Sequence, residues 1–467
     1  MRKLFFSAAI LMAVSSFIAN GQEPSGGNPA KDAKSEKYRR SSLCHILIDE
    51  GNMPKREVIL ESFLNAPLPD KYNDHNISER TFCPDNWKLS ADDHAAYAVA
   101  VKAYEDSQSA NVAEGEKPKK KGGFGKFMKA AAGTALALAS DSEESVMVDS
   151  KDKEEYAVIA NKHLLEQNVA KQLFDKWFVT EDGGLSMGLV HERGLYDASV
   201  LDRQTASNAV EGLDLLRDAG KELINNTFVV VTRFRYLSKD ELVAEIDAAA
   251  QAVAGAVNEN VAAAARLGTM GVKASLGAGY YVRTTSYLFQ LNWNEDTENR
   301  LKRVWRDAEG YDAADFFALN YVGQESAFAN VKAGIFTNKS EEELIDIATI
   351  NATDAVLAKL AKKYEVFRTK TPLVVEGDKL YAYIGAKEGL EGGEKFEVLE
   401  QVMDESAGTT VYKRKGTISV VKGKVWDNRF MADEELAATG KGQSISATEF
   451  EGSANGLYSG MLLRQIK

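Results

Sequence analysis

The sequence predicts an α+β protein: a mixed helical and stranded main region followed by a small C-terminal β-barrel-like or compact β-sheet domain. Three observations carry this. Segments such as 153–178 and 341–364 repeat apolar residues at spacings of three and four, the period of a helix with one buried stripe. Segments 227–237 and 280–293 instead alternate with period two and are rich in Val, Thr, Tyr and Phe, as strands are. After Pro372 short stranded runs alternate with glycine-bearing turns, the pattern of a small all-β unit. The expected division is 1–21 a signal peptide, 22–38 a flexible leader, 39–370 an α+β domain with a loose insertion near 106–150, and 371–467 a β-domain.

The signal peptide is read from three parts. Arg2 and Lys3 supply a positive start, 4–18 is apolar apart from small residues, and Ala19 and Gly21 occupy the −3 and −1 positions of a small-residue cleavage site. Gln22 is then the expected mature N-terminus. A retained membrane anchor needs about 20 apolar residues; this run is shorter and ends in Asn20, Gly21 and Gln22. No cysteine follows it, which argues against a lipid-anchored form. The polar stretch 22–37, with Pro24, Gly26, Gly27 and Pro29, reads as the leader.

Structure is expected from Arg39. The run 43–48 is a short strand. Ser90 and Asp93 form a variant capping box at the start of a helix whose inner face is Tyr97, Val101 and Tyr104. Periodicity then stops over 107–123. One long helix is expected over 153–178, with Tyr156, Ile159, His163, Ala170, Phe174 and Trp177 inward. A second spans 202–224, and the strand 227–237 follows it directly. An Ala-rich amphipathic helix over 242–267 then leads to the strand 280–293. These two strands are expected to pair, with the Ala-rich segment as the excursion between them. Ser340 and Glu343 make a full capping box for a helix ending about Tyr364. Beyond Pro372 strands are expected at 379–385, 396–401, 409–421, 423–426 and 461–465.

Net charge is −12, and removal of Arg2 and Lys3 makes it more negative. That argues against a nucleic-acid partner, which would want a basic face, and favours solubility. Cys44 and Cys83 are the only cysteines. In an oxidising compartment the pair is a disulfide candidate; the alternative is two thiols that never meet.

Candidate chemistry is sparse. Gly184-Leu-Ser-Met-Gly188 matches the Gly-x-Ser-x-Gly nucleophile elbow and makes Ser186 the one candidate catalytic residue, but the motif needs a strand leading into the serine. The preceding Thr180-Glu-Asp-Gly-Gly184 reads as a loop. The five histidines show no metal-ligand spacing. Asp70, Asp74 and His75 cluster after Pro69, where Asx turns are the ordinary reading, and no metal or cofactor is expected. His191-Glu-Arg-Gly-Leu-Tyr196 reads as a glycine turn with an internal ion pair. Thr439-Gly-Lys-Gly-Gln-Ser444 lacks the spacing of a phosphate loop and reads as a polar surface loop. Lys119, Lys120 and Lys121 beside Phe124 and Phe127 suit an anionic lipid surface or a partner; the other reading is a solvated linker before a short helix. The Ala-rich excursion is open in the same way, lying at an interface or packing on the protein's own sheet.

Several runs taken together, Pro69-Asp-Lys-Tyr-Asn-Asp-His75, Glu192-Arg-Gly-Leu-Tyr-Asp-Ala-Ser199, Asn226-Thr-Phe-Val-Val-Val231 and Gly385-Ala-Lys-Glu-Gly-Leu390, resemble an uncharacterised group of exported proteins from Bacteroides-like bacteria. The run from Lys387 to Val398 is similar to small β-domains that end some envelope and flagellar assembly proteins. The resemblance implies export, as the signal peptide does, with the periplasm or the outer-membrane periphery as the expected place, and it offers no catalytic residues to carry over. The sequence shows no convergent polar site, so the expected function is binding or assembly without catalysis, with other envelope proteins or the membrane surface as partners and no nucleic acid. Oligomeric state stays open. Two alternatives remain at this point: a hydrolase using Ser186, and a glycan or small-molecule receptor using Trp87, Trp293 and Trp305.

Overall fold

A computed structural model describes residues 38–110, 151–196, 220–238, 240–244, 279–332, 339–404, 409–440 and 445–466. The chain is α+β. Its main sheet is built on β1 (Ser42–Ile48), which pairs in parallel with the two-residue strands β2 (Asn73–Asp74) and β3 (Thr81–Phe82) and with β4 (Thr227–Leu237). The sheet then turns antiparallel through β5 (Gly279–Leu291) and β6 (Leu319–Lys332), giving the order β2-β1-β4-β5-β6. The expected pairing of 227–237 with 280–293 holds, with Phe228 opposite Gln290 and Leu237 opposite Tyr281.

Both faces of this sheet are covered. On one face Cys44, Ile46, Val229, Val231, Tyr287 and Phe289 pack against α3 (Lys151–Glu166) and α4 (Val169–Phe178). On the other, Leu43, Leu47, Phe228, Phe234 and Leu288 meet α1 (Arg56–Asn65) and α8 (Glu341–Lys363). Helix cover on two sides explains why Phe228 through Val231 are all fully buried. The outer strand β6 is shielded by α2 (Ala91–Ala110), where Tyr97 meets the Tyr321 ring edge-on at 4.9 Å.

The expected helix over 153–178 is two helices. Asn168 takes a left-handed conformation (φ 50°) at the N-cap of α4 and breaks the run. Both capping boxes form: Ser90 and Asp93 exchange bonds, and Ser340 Oγ accepts from Glu343 N–H while Glu343 accepts from Ser340 N–H. The segment 191–196, read as a glycine turn, instead belongs to helix α5 (Gly188–Tyr196). Between β5 and β6 lie α6 (Glu295–Val304) and α7 (Ala308–Asp312). The expected helices over 202–224 and 242–267 fall mostly outside the described residues; 220–225 and 240–244 are helical.

The C-terminal sheet has the order β7-β13-β10-β11-β12-β9-β8 and is antiparallel throughout. Its strands are β7 (Lys370–Pro372), β8 (Val374–Glu376), β9 (Lys379–Ala382), β10 (Lys395–Asp404), β11 (Thr409–Val420), β12 (Thr448–Glu451) and β13 (Leu462–Gln465). The two end strands, β7 and β8, are separated in sequence by Leu373 alone. Its N–H donates to Met461 and its carbonyl accepts from Gly460, so the sheet curls almost closed. Leu380, Phe396, Val398, Ile418 and Phe450 fill the inside. The expected strand at 423–426 is reduced to one bridge between Gly385 and Trp426, and helix α9 (Ala432–Thr439) follows.

One backbone position in the main sheet has no room for a side chain. β6 carries a bulge at Val322, and the next residue, Gly323, has φ 154°. The Tyr364 hydroxyl lies against it, accepting from Gln324 N–H at 2.9 Å. A Cβ there would overlap the Tyr364 ring and hydroxyl. Gly323→Ala is expected to cost about 2–4 kcal/mol through clash and backbone strain. A urea midpoint equal to wild type would refute that.

Candidate functional site

The register of the sheet decides the cysteine question. β3 pairs with β1 so that Phe82 faces Ile48, which places Cys83 level with Asp49, five residues along from Cys44. At a rise of about 3.3 Å per residue that is about 16 Å, beyond the 7 Å or so that a disulfide spans between Cα atoms. Cys44 and Cys83 are free thiols, which corrects the disulfide expectation. Burial pushes the Cys44 thiol up to about 11, so it is a core group and not a nucleophile.

Ser186 does not sit in a nucleophile elbow. The segment before it contributes one bridge, Leu185 to Val179, in place of a strand. Its Oγ accepts the Gly188 N–H at 3.0 Å, capping the first turn of α5. Asp74 behaves as an Asx turn, accepting from Asn76 N–H at 2.8 Å. His75 turns inward: Nε2–H donates to Leu173 O at 3.0 Å, Nδ1 faces Arg193 at 3.0 Å, and the ring stacks on Trp177. Asp70 points away to Arg39. No group of ligating side chains able to hold a metal occurs among the described residues. Lys119, Lys120, Lys121, Phe124 and Phe127 lie outside the described residues. Among the described residues no helix is long and apolar enough to cross a membrane.

The aromatic candidates divide. Trp87 is packed against Phe82 and His163 in the core. Trp293 and Trp305 come together, both leaning on Phe178 with ring centroids 5.9 and 6.0 Å away. Trp293 lies just beyond the end of β5 and Trp305 just beyond the end of α6, so the turn of chain between them folds the two indoles onto one floor. With Met187, Ile224 and Leu301 they line an apolar slot of about 510 Å³. A second chamber of about 590 Å³ adjoins it, sharing Lys221, Trp293 and Glu298. Its polar walls come from the main region (Arg40, Asn225, Asn294) and from the barrel (Gln401 of β10, Tyr412 of β11). The cleft therefore lies on the seam between the two sheets.

The charges in the cleft are held by one another. Glu298 pairs with Lys302 at 2.8 Å and with Lys221 at 3.4 Å. Glu222 accepts from Lys370 at 2.6 Å and from the Tyr412 hydroxyl at 2.7 Å, and Tyr412 meets the Tyr38 hydroxyl at 2.7 Å. Burial works to raise the Glu222 carboxyl, but Lys370, Arg40 and Tyr412 outweigh it and hold it below the ordinary range. Burial, then Tyr38 and Glu222, push the Tyr412 hydroxyl far above its ordinary value, so it stays protonated and keeps donating. This network also ties β7 and β11 of the barrel to the helical segment 220–225. A second tie is the buried Asp354 of α8 with Lys387 at 3.4 Å.

Sequence reasoning named Trp293 and Trp305 but missed Arg40, Asn225, Gln401 and Tyr412, which no local pattern connects. No protein-family model and no curated protein matches the chain.

Proposed function

We infer that this is an exported, non-catalytic binding protein whose ligand enters the cleft between the main sheet and the barrel. The observation that carries the reading is the meeting of Trp293 and Trp305 beside amide side chains drawn from both parts of the chain. Ligand sites of this size combine apolar and aromatic walls with a few convergent polar groups. The export part rests on the basic start, apolar run and small-residue cleavage pattern of 1–21, and the resemblance to exported proteins supports it. An envelope protein that assembles with others remains compatible with a ligand cleft at its seam.

Tryptophan emission against a panel of soluble glycans and small amphiphiles tests it, with direct calorimetry on the hits. Trp293→Ala is expected to weaken a hit at least tenfold, about 1.4 kcal/mol or more. Binding that survives the substitution unchanged would remove the cleft from the reading. Intact mass of the exported protein tests the compartment, with a chain beginning at Gln22 expected and one retaining Met1 against it.

A further inference from the structure

Each half of the cleft has its own chemistry, and the two meet at Trp293. The slot is floored by Phe178, Ile224 and Leu301, which are 1 %, 0 % and 3 % exposed, and walled by the two half-buried indoles. The polar groups along its wall, Lys221, Glu298 and Lys302, are already paired with one another. The chamber is the reverse: amides of Asn225 and Gln401 and the carboxylates Glu222 and Glu295 surround it. Its charges nearly cancel. Arg40 and Lys221 face Glu222, Glu295 and Glu298 in its lining, and from beyond the lining Lys370 and Lys302 already pair with Glu222 and Glu298 at 2.6 and 2.8 Å. A charged head would have to break those pairs, which a partly desolvated site resists. A neutral head with several hydroxyl or amide groups only adds hydrogen bonds.

We propose that the ligand is a neutral amphiphile, its alkyl or aryl tail in the Trp293–Trp305 slot and its uncharged, hydroxyl- or amide-rich head in the chamber. This deepens the binding reading given above and rests on it. Lys221 and Glu298 line both compartments, and their ion pair, 3.4 Å long and partly exposed, is the element a bound tail passes.

The test is calorimetry of the mature chain with methyl, hexyl and octyl glucoside below their micelle thresholds, and with octanoate as the anionic counterpart. Each buried methylene favours binding by a roughly constant increment, so octyl should bind on the order of tenfold more tightly than hexyl. Methyl glucoside should be weaker still, and octanoate weaker than octyl glucoside. Trp305→Ala should flatten the chain-length dependence, whereas Gln401→Ala should weaken all members alike. Met187→Ser, a smaller change in the same wall, repeats the Trp305 test if that variant melts early. Affinity independent of chain length, with binding still lost in Trp293→Ala, overturns the amphiphile and leaves the cleft. Octanoate binding as tightly as octyl glucoside overturns the neutral head. Absence of binding by every probe overturns the amphiphile and the cleft reading together.

Discussion

Replacing Trp177 with alanine is expected to destabilise the protein by about 3–5 kcal/mol, the range for deleting a fully buried large aromatic ring. Trp177 is 1 % exposed and sits where three parts of the structure meet. Its ring stacks on His75 at 4.6 Å and carries the Arg193 guanidinium 4.8 Å above it. Its indole N–H donates to Thr227 Oγ1 at 3.0 Å, and that hydroxyl donates to Leu223 O at 3.0 Å. The bond ties the start of β4 to the helical segment 220–225, which carries Lys221, Glu222 and Asn225 into the cleft. Trp177→Phe keeps most of the packing and loses only the N–H bond, so about 1–2 kcal/mol is expected. Urea unfolding of both variants measures the losses. An alanine variant within 1 kcal/mol of wild type would mean the ring is not the keystone of this layer. Ligand affinity in Trp177→Phe tells whether the Thr227 link also positions the cleft.

How much of this was legible in the sequence depends on whether the signal was local. The Ser340–Glu343 box and the stripe from Leu344 to Leu360 are local, and α8 forms as they indicate. The alternation of 227–237 and 280–293 also gave β4, β5 and their pairing. β6 was missed although it is the longest strand of the main sheet. Its sequence, Leu-Asn-Tyr-Val-Gly-Gln-Glu-Ser-Ala-Phe-Ala-Asn-Val-Lys, is interrupted by the bulge at Val322 and Gly323, which breaks period two, and its edge position admits polar residues. The break at Asn168 was hidden because the apolar stripe resumes almost in phase after it. The three-residue strands β7 and β8 are shorter than any period can register, and they become strands only because the barrel closes through Leu373. The cleft follows the same rule. Each indole was visible alone, but Arg40, Asn225 and Tyr412 are far apart in sequence, and only the docking of barrel on sheet gathers them. The cysteines show the converse: an even pair suggested a bridge until the β1–β3 register set them apart.

Acid is expected to unfold this protein well before its surface carboxylates titrate. His45, His75 and His163 are 3 %, 0 % and 4 % exposed, and burial lowers them from about 6.5 to about 3, about 3 and about 4. Arg80 adds to the effect on His45, and Arg193 and Lys176 add to it on His75. The surroundings make protonation costly in each case. His45 Nε2 bonds Thr232 Oγ1 within the sheet, His75 faces the Arg193 guanidinium, and His163 lies flat on Phe82 at 3.8 Å. The unfolded chain takes up protons on all three as pH falls through 6.5, whereas the folded chain does so only near 3–4. Stability is therefore fully present above about pH 6.5 and declines below it, by about 1.4 kcal/mol per pH unit for each histidine. Asp354 acts with the opposite sign. Burial, only partly offset by Lys387, raises its carboxyl to about 6, so between pH 6 and 4 the folded form binds a proton the unfolded form does not. It cancels roughly one histidine in that window. The net expectation is a loss on the order of 3–5 kcal/mol between pH 6.5 and 5, a large part of the stability of an ordinary domain. Urea midpoints should change little between pH 7.5 and 6.5 and fall clearly by pH 5.5. His163→Phe, which keeps the stack on Phe82 and removes one titrating ring, should make the decline shallower by about half, since Asp354 already offsets one of the three histidines. Midpoints that do not move between pH 7.5 and 5.5, or a decline that His163→Phe leaves as steep as before, would show that the buried histidines do not set the acid limit.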